Sequence, residues 1–155
     1  MNNFENALDI MVERFNKDSL IAVATTDGKH MHNRMVDALF IDGAFYISTH
    51  ALSNKIKQIE SNPEVAVCAV DWFSGHGNAK NLGWVLNPEN AEIRTKLREA
   101  FEWYDHANNE QDQNCCFLEI RLTDGMLIKD HHAIRYQIDF TNKTALLSEN
   151  WSEFK

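Results

Sequence analysis

Between residues 4 and 15 the apolar positions are Phe4, Ala7, Leu8, Met11, Val12 and Phe15. Gaps of three and four place them on one side of a helix. From Ser19 the pattern changes. SLIAVATT is rich in strand formers and runs into Asp27-Gly28. Residues 31–41 form a second such run, closed by Asp42-Gly43, and AFYIST follows as a third. Both Asp-Gly pairs are hairpin signals. Residues 53–61 predict a short helix that stops before Asn62-Pro63. EVAVCAVDWF has little polar interruption, which predicts a strand buried on both faces.

Residues 73–86 carry Gly75, Gly77 and Gly83 and read as a strand or bent hairpin. Asn87-Pro88-Glu89 opens a predicted helix to about Tyr104, with Asn87 as cap and Pro88 in the first helical position. The polar stretch 105–114 is a loop. NCCFLEIRLT, Asp124-Gly125 and MLIKD predict a further hairpin, and AIRYQIDF is the last strand. The expected fold is mainly β (α+β): an antiparallel barrel of six or seven strands with about three flanking helices. One domain spans 1–155, with a core at 19–140 and a fraying polar tail at 141–155.

Charge narrows the function. The chain has 155 residues and a formal net charge of -8, which argues against nucleic-acid binding and against docking on an anionic membrane. No apolar run approaches the length of a membrane span, and the first residues do not read as a signal peptide. Cys68, Cys115 and Cys116 form no metal or disulfide spacing, so a cytoplasmic protein is expected.

The helix start at Ser53 is unusual. Its first turn reads Ser53-Asn54-Lys55-Ile56-Lys57, with cations and no acid. A helix N-terminus is partially positive and favours acids, as Glu89 and Glu92 illustrate further on. Two cations there make sense if an anion sits against the free backbone N–H groups. Ser48 and Thr49 end the preceding strand, and Arg34 lies on the strand before it. Arg34, Lys55 and three hydroxyls converging on one phosphate is the functional reading. A plain serine cap with solvated lysines is the other.

The stretch NRMVDALFIDGAFYISTHALSNKIKQIESNPEVAV resembles the FMN-binding core of the pyridoxamine 5'-phosphate oxidase family. An arginine-bearing strand, a hairpin, a strand ending in hydroxyls, a Ser-x-Lys helix start and an Asn-Pro turn stand in the family's order. The whole chain resembles the general-stress-protein branch. The resemblance implies a split β-barrel homodimer with FMN at the subunit interface. It implies that Arg34, Ser48, Thr49, Ser53, Asn54 and Lys55 hold the phosphate and ribityl chain. The backbone of Met35, Val36 and Asp37 would line the ring, and Trp72 and Phe73 would approach it from the other subunit. Leu39 and Asn54 stand where the oxidase has basic residues, and its substrate-binding tail motif is missing. Pyridoxamine phosphate is therefore not the expected substrate.

The expected activity is electron or hydride transfer from a small-molecule donor to a small-molecule acceptor, with the flavin carrying the chemistry. No side chain is singled out as acid or base. A flavin-binding stress-response module without turnover is the first alternative. A haem-binding split barrel is the second, because some relatives bind haem and His30, His32, His131 and His132 form two pairs. No metal site is expected, since no carboxylate or cysteine stands at ligand spacing around these histidines.

Overall fold

A computed structural model describes residues 1–130 and 134–149. The chain order is α1 (Asn3–Phe15), β1 (Ser19–Thr26), β2 (Met31–Ile41), β3 (Ala44–His50), α2 (Asn54–Ser61), β4 (Glu64–Ala69) and β5 (Phe73–Trp84). There follow a 3-10 turn (Pro88–Asn90), α3 (Ala91–Ala100), α4 (Tyr104–Ala107), β6 (Cys115–Ile128), β7 (Arg135–Asp139) and β8 (Thr144–Ser148).

The strands run in the order β3-β2-β1-β4-β5-β6-β7-β8, and β3 also pairs with β6. That extra pairing closes β1 to β6 into an antiparallel six-stranded barrel, with β7 and β8 as an extension. Alternation places Ile21, Val23, Phe40, Phe45, Ile47, Val65, Val67 and Ile120 inside. The apolar side of α1 joins this core through Ala7, Met11 and Phe15, and α2 adds Ile56 and Ile59. A second cluster covers the outer face of β3 and β6 beneath α3 and α4, built on Tyr46, Leu97, Phe101, Tyr104 and Phe117.

The Asp42-Gly43 hairpin forms as expected, with φ of 48° and 81° at the two turn residues. The first hairpin is longer than two residues. Asp27 Oδ1 accepts from the backbone N–H of Lys29 and His30 and holds a four-residue loop.

Four expectations need correction. Asp124-Gly125 is no turn, because β6 runs straight through it. Gly125 is there for close approach: a Cβ would lie 2.4 Å from the Phe73 ring. The strand at 64–69 is buried on one face only, because no described helix covers the outside of the barrel there, and Cys68 is exposed. The helix expected to Tyr104 breaks at Phe101, which turns extended, buries its ring and stacks on Trp103 at 4.8 Å. The tail does not fray from residue 141. Thr144–Ser148 pairs with β7, and Asn3 Nδ2 on α1 donates to the Ala145 carbonyl at 3.4 Å.

Candidate functional site

The barrel splits between β2 and β3. β1 pairs with β2 along residues 31–38, whereas β3 pairs with β2 only at 39–41. Beyond that point β3 leaves β2, and residues 44–50 pair with β6. Among the described residues the far edge of β2 from Met31 to Asp37 therefore has no strand partner, and apart from the His32 carbonyl, which Arg34 engages, its backbone groups are open to another group. The chain returns near this opening through residues 51–53 and the start of α2, where Ser53 N–H donates to the His50 carbonyl at 3.0 Å.

Two cations occupy the opening. Arg34 sits opposite Val23, whose side chain is in the core, so Arg34 points to the barrel interior at its mouth. Its Nη1 donates to Thr25 Oγ1 at 2.7 Å, the Val23 carbonyl at 3.2 Å and the His32 carbonyl at 3.3 Å. Lys55 reaches inward from the first turn of α2 and donates to Thr49 Oγ1 at 2.5 Å. Burial lowers the pKa of Lys55, and the nearby Arg34 charge lowers it further; burial also lowers that of Arg34. Among the described residues neither cation forms a salt bridge with a carboxylate.

The helix start is unfinished as well. α1 carries a full capping box between Asn2 and Glu5. The N-cap of α2 is Ser53, yet its side chain makes no capping bond, and among the described residues the buried Ser53 Oγ has no partner. A buried hydroxyl without a partner is costly, as are two half-buried like charges. An anion between Arg34, Lys55, Ser53 and the α2 N-terminus would relieve all three.

The other sequence-predicted residues are distributed unevenly. Ser48 is on the opposite face of β3 from Thr49, where its hydroxyl donates to Asn108 Oδ1 at 3.0 Å. Asn54 is exposed at the head of α2. Met35 and Asp37 face out from β2, while Val36 packs inward against the core. Asp37 is raised to about 6, first by burial and then by the neighbouring Asp18 carboxylate. Trp72 is 40% exposed in a turn with φ of 60°. Phe73 is 1% exposed and packs on Phe15 and Phe45 inside the barrel, so it offers no surface to a ligand.

Thr25 and Gln58 belong to the mouth network but were not singled out by the sequence reading. Gln58 follows Lys55 by three positions and so shares its helix face. Thr25 shares a strand face with Val23, opposite the arginine strand. His32 Nε2 pairs with Asp27 at 3.0 Å on the surface, and no group of three or more potential metal ligands occurs among the described residues. His131 and His132 lie outside the described residues. No described helix is long and apolar enough to cross a membrane.

These features define the fold class: a split antiparallel β-barrel with a cationic mouth at the split. No protein-family model and no curated protein matches the sequence. Solved structures do. General Stress Protein 26 from Bacillus anthracis str. Sterne is similar at 17% identity, with 76% of this chain and 89% of that chain covered and a TM-score of 0.57. A pyridoxamine 5'-phosphate oxidase-related, FMN binding protein from Nostoc punctiforme PCC 73102 is similar at 13% identity, with 96% of each chain covered and a TM-score of 0.59. A FAD-binding protein from Mesorhizobium loti is similar at 12% identity, with 75% and 89% covered and a TM-score of 0.57. The chain thus has the fold of the pyridoxamine 5'-phosphate oxidase-related split barrels.

Proposed function

We propose that this protein binds FMN at the barrel split and works as an FMN-dependent oxidoreductase. The observation that carries the reading is the pair Arg34 and Lys55, half-buried together with no carboxylate, beside the orphaned Ser53 hydroxyl. Arg34, Lys55, Thr49 and Ser53 would hold the phosphate, with Asn54 at the rim. The open backbone edge at Met35, Val36 and Asp37 would take the polar rim of the ring. Bound flavin supplies hydride and single-electron chemistry to small donors and acceptors. The chain's own residues anchor the phosphate and present one face of the ring.

We further propose a homodimer. On the outer side of β1 and β2, Leu20 and Met35, at 53%, are exposed, and the turn after β4 adds Val70, at 77%, and Trp72. A groove of about 510 Å³ continues this face over Ala22, Ala24, Ala66 and Met126. A second copy covering it would shield the ring from water, and Trp72 could then reach the partner's flavin. The exposed thiol of Cys68 suits a reducing cytoplasm.

The test is the visible spectrum after incubation with FMN and desalting, followed by addition of a reduced nicotinamide. Retained flavin that bleaches with the donor and recovers with an acceptor is the expected result. Retained flavin that no donor reduces would leave a binding module. A protein that emerges colourless would overturn the flavin reading.

A further inference from the structure

Gln58 lies one turn beyond Lys55, with its side chain at the barrel mouth. Its Oε1 is 3.5 Å from Arg34 Nη2 and also receives a hydrogen bond from the Thr25 hydroxyl. The polarity of this triangle has one solution. A guanidinium carries only donors, so the amide atom turned toward Arg34 is the oxygen. The Thr25 oxygen already accepts from Arg34 Nη1 at 2.7 Å, so its own proton goes to Gln58 Oε1. Gln58 Nε2 is thereby turned away from the guanidinium. Among the described residues neither of its hydrogens has an acceptor.

Three groups around this mouth thus have donor capacity left: the Gln58 amide, the Lys55 ammonium, which spends one bond on Thr49, and the buried Ser53 hydroxyl, with Arg34 behind them. Residue type matters at this position. A glutamate of the same shape would accept equally well from Arg34 and Thr25, but it would neutralise the guanidinium and remove the N–H₂ donors. Glutamine braces Arg34 while leaving the site's positive charge intact.

We propose that Gln58 is a ligand and specificity determinant of the anion site. Its Nε2 donates to a phosphate monoester, and its Oε1 fixes Arg34 without offsetting its charge. This rests on the flavin reading and deepens it: the mouth selects the phosphorylated flavin over the unphosphorylated one.

The experiment compares wild type, Gln58→Glu and Gln58→Ala by fluorescence titration with FMN and with riboflavin, and by thermal shift with inorganic phosphate. Gln58→Glu should lose roughly 10- to 150-fold in FMN affinity, the span of one hydrogen bond to a charged group. Gln58→Ala should lose less, because it deletes the donor without adding a negative charge. Riboflavin affinity should stay within about twofold in both, since riboflavin has no phosphate for the amide to meet. Gln58→Glu should melt no lower than wild type, because it pairs Arg34. FMN affinity unchanged in Gln58→Glu would overturn the proposal, as would an equal loss for FMN and riboflavin. If wild type binds inorganic phosphate but neither flavin, and Gln58→Glu abolishes the phosphate shift, the flavin reading fails while the role of Gln58 stands.

Discussion

Replacing Lys55 with methionine should strengthen the ligand-free protein and weaken its hold on FMN. The two effects have one origin. Lys55 is driven into the mouth beside Arg34, and both burial and the Arg34 charge oppose its ionisation. Like charges a few ångströms apart repel by up to about 4 kcal/mol at an effective dielectric of about 20. Both groups are half open to solvent, so about 1 kcal/mol is the share to expect after screening. Methionine keeps the length and apolar body of the stem and loses the hydrogen bond to Thr49. For a domain of this size 1 kcal/mol corresponds to a rise of about 2–4 °C in Tm.

The ligand effect has the opposite sign. Losing one charged hydrogen bond to phosphate should cost ~1.5–3 kcal/mol, or about 10- to 150-fold in Kd. Riboflavin affinity should not change.

Proton linkage gives an independent check. The folded state holds the Lys55 pKa below its ordinary 10.5. Between that depressed value and 10.5 the unfolded chain binds more protons than the folded one, so wild-type stability gains a rising contribution with pH across this window. The methionine variant should lack it. Melting with and without FMN, titration with both flavins and a stability profile from pH 7 to about 10.5 constitute the assay. A variant that melts lower than wild type and binds FMN as tightly would refute the reasoning, because Lys55 would then be a structural side chain.

Three further outcomes are expected. Asp37 is held up at about 6, so between 3.8 and about 6 the folded state keeps a proton that the unfolded state has released, and stability falls as pH rises through that range. Asp37→Asn should therefore raise the unfolding free energy from urea melts at pH 7, by on the order of 1 kcal/mol after discounting for exposure, and show little gain below pH 4; a lower value at pH 7 would contradict the assignment. Gly125→Ala places a Cβ 2.4 Å from the Phe73 ring and should destabilise by about 1–3 kcal/mol in thermal melts. Met35→Glu puts a charge on the exposed face of β2 and should yield a monomer by light scattering if that face is the dimer contact; a dimer of unchanged affinity would move the contact elsewhere.

The legible part of this molecule was local. The Asp42-Gly43 turn, the α1 stripe and the strands at 19–26 and 44–50 follow from spacing and turn chemistry, which act over a few residues. The errors arose where a distant contact decides the outcome. Gly125 reads as half of a turn signal, but its lack of a side chain serves Phe73, some fifty positions earlier in the sequence. Phe101 sits within a helical pattern, but its ring is drawn into the cluster beneath α3 and α4. The same division runs through the site. Ser53 and Lys55 stand out in the sequence because a cationic helix start is anomalous on its own terms, and Arg34 follows from the strand two elements earlier. Ser48 and Thr49 are adjacent in the sequence, but a strand sends adjacent side chains to opposite faces, and Ser48 meets Asn108 instead. Gln58 gives no such signal, because a glutamine on a short helix carries no charge and breaks no rule. The role proposed for it depends on which amide atom faces a guanidinium across the split, and that relation exists only once β3 has left β2 for β6.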